Sequence, residues 1–246
     1  MKVALFIPCY VDQFYPNAAI ATLQLLEKLG VEVAYPTNQT CCGQPMANSG
    51  FEHLTKGCNE LFIKNFDGFD YIVAPSGSCV LHIREHLHDD QQGARADEVR
   101  HKVWELTSFL TDILQVEKLD ARFPHKVGVH QSCHGQRGLK LSQMSELVAP
   151  GFSKPGLLLD MVKDIELIEL NRVDECCGFG GTFCVAEEAV SVKMGKDRVT
   201  DHLNHGAEYI TGVDMSCLMH MEGILNRRGS PVKVLHIAEI LNSKES

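Results

Sequence analysis

Cys176-Cys177-Gly178-Phe179-Gly180-Gly181-Thr182-Phe183 is the stretch from which the rest of this 246-residue sequence becomes readable, and Cys41-Cys42-Gly43 is its shorter counterpart in the first half. Each Cys-Cys-Gly lies between two further cysteines, Cys9 and Cys79 in the first half and Cys133 and Cys217 in the second. Eight of the ten cysteines thus fall into two copies of one pattern. Four thiolates gathered twice from distant parts of a chain suit a metal or an iron–sulfur cluster, because sulfur ligands are soft and each cluster iron takes one protein thiolate.

The duplication extends beyond the cysteines. Lys2-Val3-Ala4-Leu5-Phe6-Ile7-Pro8-Cys9 corresponds to Lys126-Val127-Gly128-Val129-His130-Gln131-Ser132-Cys133, and Ser78-Cys79-Val80-Leu81-His82 to Ser216-Cys217-Leu218-Met219-His220. Lys102-Val103-Trp104-Glu105-Leu106 returns as Lys233-Val234-Leu235-His236-Ile237. The interval between equivalent residues drifts only by loop lengths, so the sequence predicts two homologous modules and not a short-period solenoid. The polar, Pro-terminated run Glu117 to Pro124 is the expected junction, giving modules 1–120 and 121–246. Either half is long enough for a core of its own.

Within each half, strand-like and helix-like segments alternate. Val3 to Pro8 is a short β-rich run ending at Cys9, Ala18 to Leu29 has helical spacing with Gly30 as a stop, and Val31 to Tyr35 leads into Cys41-Cys42. Phe51 to Phe66 reads as a second helix, Asp89 to Ala96 as a polar loop, and Tyr71 to Ala74 as a strand running into Cys79. Val127 to Gln131, Ile165 to Leu170 and Tyr209 to Thr211 repeat the strands ahead of Cys133, Cys176-Cys177 and Cys217. The predicted class is α/β, two tandem modules that are each a mainly parallel sheet with flanking helices. Ligands of such sheets settle beyond the carboxyl ends of the strands, which is where every cysteine station falls.

Composition narrows the function. A net charge of −9 without a Lys/Arg cluster excludes nucleic acid as the expected partner. No run approaches the roughly 18 apolar residues of a membrane span, so direct membrane insertion is not expected. Met1 to Val11 is too short for a signal peptide, which points to the cytoplasm. In a reducing compartment ten thiols signal metal ligation or catalysis before disulfides.

The expected metal ligands are therefore Cys9, Cys41, Cys42 and Cys79 at one site and Cys133, Cys176, Cys177 and Cys217 at the other. Neighbouring side chains on extended backbone diverge, so an adjacent pair suits a polynuclear cluster better than one small tetrahedral ion. Gly43 and Gly178 permit positive φ or close backbone approach to sulfide, and the N–H groups around Gly180 and Gly181 can form an anion-binding concavity. No G-x-G-x-x-G follows a strand, so neither flavin nor nicotinamide is expected on this chain. No catalytic residue is identified.

The doubled pattern resembles the cysteine-rich (CCG) domain family typified by the B subunit of heterodisulfide reductase, and more closely its two-domain lactate-utilisation branch. The resemblance covers essentially the whole chain and is most specific at Cys176 to Phe183. It implies an iron–sulfur subunit, with one or two clusters per chain, that acts with partner proteins in oxidation of L-lactate to pyruvate. Wider family members end each site in Cys-x-x-Cys and bind unusual clusters through five cysteines; here Ser76 and Asp214 stand where the first cysteine of that pair would be. Four thiolates per site favour a simpler [4Fe–4S] cluster, or a site in which Asp214 adds an oxygen. Two alternatives stay open: a thiol–disulfide redox subunit like that of heterodisulfide reductase, and a structural zinc module, with zinc at one site beside one cluster as an intermediate case.

Other residues have plainer readings. His82 and His86 suggest a solvated helix face, although His82 and His220 recur after Cys79 and Cys217 and could cap the site or donate to sulfur. His130 is expected as a satisfied core histidine, and His134 beside Cys133 as a candidate for proton transfer. Cys58 and Cys184 are expected to pack as small apolar thiols. Glu187-Glu188 and Lys193, Lys196 and Arg198 read as a solvated helix surface, and Met215, Met219 and Met221 as gap fillers.

Overall fold

The computed structural model describes residues 1–89 and 91–244. Its strands form two four-stranded sheets, one drawn wholly from each half. The first comprises β1 (Val3–Leu5), β2 (Val33–Ala34), β3 (Tyr71–Ala74) and β4 (Val103–Glu105) in the order β2-β1-β3-β4. The second comprises β5 (Lys126–His130), β6 (Glu166–Leu167), β7 (Tyr209–Gly212) and β8 (Lys233–His236) in the order β6-β5-β7-β8. Every pairing within them is parallel. The order reverses between β1 and β3 and again between β5 and β7, and that reversal opens a crevice at the carboxyl ends.

Parallel strands covered on both faces carry apolar residues on both sides. In β1, Val3 and Leu5 enter one core cluster while Ala4, with the following Phe6, enters another. The buried residues of the second cluster, built on Phe6, Phe62, Phe66 and Ile72, all come from the first half, and Leu139 of the second half packs against it. The larger cluster is shared. It combines Val3, Leu5, Ala18, Leu25 and Leu26 with Val127, Ile210, Leu218 and Ile240, so the modules are fused through apolar packing. Each half was expected to bury its own core, but the apolar stripe of the helix Pro16–Lys28 is closed by the other half's helix Ile237–Leu241. At the edge of this contact Asn242 Nδ2 donates to Gln24 Oε1 at 2.8 Å and Tyr15 Oη to Glu222 Oε2 at 2.6 Å.

The halves also meet backbone to backbone. Ser76 and Asp214, equivalent positions of the two modules, form an isolated antiparallel bridge, and Gly77 N donates to Val213 O at 3.1 Å. Equivalent residues facing each other mark an approximate two-fold axis at this point.

Local differences from expectation have local causes. The Phe51–Phe66 segment breaks into a tight turn, Glu52–Thr55, and a helix, Lys56–Phe66, with Thr55 Oγ1 returning to Glu52 O at 2.7 Å. The expected loop from Asp89 is cut short by the helix Gly93–His101, and Asp90 lies outside the described residues. The strands β4 and β8, visible in the sequence only as a repeat, are too short to show alternation.

Candidate metal centre

Each cysteine station sits just past a strand or opens a helix. Cys9 begins the helix Cys9–Phe14 beyond β1, and Cys79 lies in the first turn of Gly77–His86 beyond β3. Cys133 follows β5, and Cys217 lies in the first turn of Met215–Arg227 beyond β7. These helices direct their N–H ends, and hence positive potential, toward the crevice. The Cys-Cys-Gly loops arrive from β2 and β6.

The sulfurs of each set are in contact. Cys9 Sγ and Cys41 Sγ are 3.8 Å apart, and Cys42 Sγ and Cys79 Sγ 3.4 Å. In the second set Cys176 shares hydrogen bonds with Cys133 and Cys177, and Cys177 with Cys217. Cys41 is pushed down to about 2 by donation from Cys42 and Cys9, aided by the Gly43 N–H against the opposing effect of burial. Cys176 is likewise pushed down to about 2, by Cys133 and then Cys177. Cys9 and Cys133 are driven upward by their hydrogen bonds to Cys41 and Cys176 and then by burial, and Cys42 and Cys177 by hydrogen bonds to Cys41 and Cys176, then to Cys79 and Cys217, and then by burial. Like charges gathered away from water repel, and a cation bound among these sulfurs relieves that repulsion.

Gly43 and Gly178 adopt φ of 92° and 85°, the left-handed region that the sequence reading anticipated for them. This bend turns Gly43 N back to Cys41 Sγ at 3.5 Å and Gly178 N to Cys176 Sγ at 3.3 Å. Gly180 and Gly181 line the crevice itself. His82 and His220 support the same loops through backbone: His82 bonds the Cys42 backbone, and His220 Nε2 faces Ser191 O at 3.4 Å. Ser191 in turn donates to Gly178 O at 2.7 Å. His82 is buried, contrary to the solvated reading, and burial pushes it down to about 4. His86 is exposed and pairs with Glu52 at 2.9 Å.

Both sets open into one cavity of about 410 Å³ between the modules, lined by all eight cysteines with Tyr10, His134, Phe179 and Met215 among others. Tyr10 of the first half and Phe179 of the second meet edge to face across it, with ring centroids 6.0 Å apart.

Asp214 lines the cavity with its carboxylate engaged by protein donors. Its Oδ2 accepts from Ser78 N at 2.7 Å, and Oδ1 accepts from Ser216 Oγ at 2.9 Å and Ser78 Oγ at 3.1 Å. The carboxylate clamps the two halves where the family pattern would have a thiol. Cys184 donates to Gly181 O at 3.0 Å, and Cys58 lies half-buried on the Lys56–Phe66 helix with its thiol raised by burial.

Besides His82, two more residues depart from the sequence expectation. Arg198 is 0% exposed, because its guanidinium holds Val129 O at 3.1 Å, Arg172 O at 2.6 Å and His130 Nδ1 at 3.2 Å; Lys193 and Lys196 do face solvent. His130 is buried but incompletely satisfied: its Nε2 has no partner among the described residues, and one of its ring nitrogens lies within 4.8 Å of the Cys177 and Cys217 sulfurs. Burial and then Arg198 push His130 down to about 3, so the ring is neutral. Only the alignment of Phe6 with His130 could have signalled this.

The two cysteine sets offer sulfur donors, with a His130 ring nitrogen within 4.8 Å of Cys177 and Cys217, and they surround a space larger than a single ion. They fit a thiophilic metal or iron–sulfur group. Two parallel-sheet modules that present Cys-Cys-Gly loops to a common crevice define a class, and the sequence profile of the Cysteine-rich domain (CCG) matches residues 3–84 and 127–222. The chain belongs to that cysteine-rich domain family. It is 44% identical over 247 residues to lactate utilization protein A of Exiguobacterium sp. (strain ATCC BAA-1283 / AT1b), covering 98% of this chain and 97% of that protein. It is 41% identical over 248 residues to lactate utilization protein A of Bacillus thuringiensis (strain Al Hakam), covering 99% and 100%. A solved hypothetical protein from Helicobacter pylori shares the fold at a TM-score of 0.62 and 12% identity; the match covers 100% of this chain, which spans 49% of that one. No helix among the described residues is long and apolar enough to cross a membrane.

Proposed function

We propose that the protein is an iron–sulfur electron-transfer subunit of a cytoplasmic oxidoreductase complex that oxidises L-lactate to pyruvate. Its modules are residues 1–120 and 121–246, each holding one [4Fe–4S] cluster, with the other subunits of the complex as partners. Cys9, Cys41, Cys42 and Cys79 hold the first cluster, and Cys133, Cys176, Cys177 and Cys217 the second. The observation that carries this reading is the opening of two four-cysteine sets into one cavity. The names of relatives aligned along nearly their full length support lactate as the context. Such clusters supply one-electron transfer. The chain's own residues supply the rest: Gly43 and Gly178 N–H groups steady Cys41 and Cys176, helix N-termini favour anionic sulfur, and Tyr10 with Phe179 restricts water.

The test is iron and sulfide analysis with electron paramagnetic resonance on anaerobically purified wild type, Cys41→Ser and Cys176→Ser. Each substitution is expected to erase one signal and leave the other. Colourless protein carrying stoichiometric zinc would overturn the electron-transfer reading, and a spectrum unchanged in both variants would overturn the ligand assignment.

A further inference from the structure

His130 is a buried polar side chain where the first cysteine set has an apolar one, at equivalent positions of the two sheets. Leu5 pairs with Val73 in the first sheet as Val129 pairs with Thr211 in the second, so the next residues, Phe6 and His130, are structural counterparts. Phe6 is fully buried edge to face against Phe62 and Phe66, with ring centroids 5.1 Å and 5.8 Å away, and offers no donor. His130 is 2% exposed, and its ring reaches the Cys177 and Cys217 sulfurs within 4.8 Å.

The proton on this ring is placed by its neighbour. Arg198 Nε sits 3.2 Å from His130 Nδ1. A guanidinium carries only donors and does not lose its proton in proteins, so Nδ1 must be the acceptor and the neutral ring must carry its hydrogen on Nε2. Arg198 is itself anchored by Val129 O, Arg172 O and Asp201, whose Oδ2 is 3.5 Å from Nη1. The arrangement rules out Nε2 as a metal ligand, because coordination would move the hydrogen to Nδ1 and set it against Arg198. It leaves a buried N–H without a partner among the described residues, on a ring that has a nitrogen within 4.8 Å of the Cys177 and Cys217 sulfurs.

We infer that His130 is a fixed N–H donor to the sulfur group held by Cys133, Cys176, Cys177 and Cys217, and that this donor sets the second site at a higher reduction potential than the first. Resting on the cluster reading above, the inference adds an inequality between the two sites that the matching cysteine patterns hide. An N–H directed at cluster sulfur favours the reduced, more negative state. Phe6 supplies nothing comparable. Arg198 acts through His130 as a positioning residue, and its buried positive charge adds to the effect in the same direction.

The experiment is a potentiometric titration followed by electron paramagnetic resonance on wild type, His130→Phe and His130→Gln, with signals assigned through Cys41→Ser and Cys176→Ser. His130→Phe copies the first site and is expected to lower the second site's midpoint while leaving the first unchanged. A tenfold loss of preference for the reduced form reads as about 59 mV for a one-electron couple. His130→Gln retains an N–H and is expected to recover most of the shift. Equal midpoints in wild type, or a second-site midpoint unmoved in a fully loaded His130→Phe protein, would overturn the inference and leave the cluster reading standing; absence of any cluster from wild type would remove both. Should His130→Phe fail to fold, pulsed resonance on wild type labelled with 15N-histidine decides. Weak coupling to the second signal alone supports the donor, whereas strong coupling typical of ligation, or none, overturns it.

Discussion

Gly178→Ala and Gly43→Ala change equivalent positions but are expected to have unequal effects. Both glycines have left-handed backbone, and a β-carbon there costs about 1–2 kcal/mol. Surroundings then separate them. A β-carbon on Gly178 would lie 2.7 Å from both Ser191 O and Met194 Cβ, inside the helix Glu188–Asn204, so rigid backbone has to retreat. Overpacking of that kind adds about 1–3 kcal/mol, for a total of about 2–5 kcal/mol. At Gly43 the nearest atoms are Thr55 Cβ and Cγ2 at 3.1 Å, a side chain that a small shift relieves, so the backbone term dominates. Any retreat around Gly178 also disturbs the N–H that reaches Cys176 Sγ at 3.3 Å. Urea denaturation of both variants beside wild type measures the cost, and iron retained after gel filtration reports on the sites. Gly178→Ala is expected to be less stable by at least 1 kcal/mol, within the span of those two contributions, and to shed iron from the second site first. Equal losses at the two positions would refute the argument from packing.

Two further outcomes follow from buried acids. Glu105, fully buried behind the N–H groups of Thr107 and Ser108, is raised by burial from 4.5 to about 7. The folded state keeps this proton to higher pH than the unfolded chain, so its contribution is greatest below pH 4.5 and falls as pH rises toward 7, by about 3 kcal/mol. The stability difference between wild type and Glu105→Gln should change by that amount across the window and stay level above it; a flat difference would contradict the burial argument. At Asp214, Asn can keep one carbonyl for Ser78 N while the serine hydroxyls turn to accept, so Asp214→Asn should retain both metal groups. Asp214→Ala orphans the buried Ser78 N–H and both hydroxyl contacts, and should destabilise the protein by about 2–4 kcal/mol. Loss of iron from a well-folded Asn variant would instead make Asp214 a ligand.

Much of the fold was legible because parallel, doubly covered strands announce themselves as apolar runs, and because a repeated module offers each run twice. Val3 to Leu5, Tyr71 to Ala74 and Tyr209 to Gly212 stand out in this way. The strands β4 and β8 were legible only as similarity between Lys102 to Leu106 and Lys233 to Ile237, since three or four residues carry no period. That sulfurs of one set would meet followed from strand ends; that the two sets would share one cavity did not. Which faces of two modules pack together depends on surfaces such as the stripe of Pro16–Lys28 and its cover Ile237–Leu241, far apart in the chain. Arg198 was misread for a related reason. A charged residue on a helix otherwise facing water looks solvated until the carbonyls of Val129 and Arg172 are brought to it.

The shared core also governs access. Halves joined through Leu25, Leu26, Leu218 and Ile240 cannot part like a clamshell without wetting the interior, and the Ser76–Asp214 bridge locks the floor beneath the sulfurs. At the rim of the shared cavity Asn48 of the first half faces Thr182 of the second, and Val185 stands 82% exposed. A partner that docks over this rim would cover both cysteine sets at once, because they share one cavity.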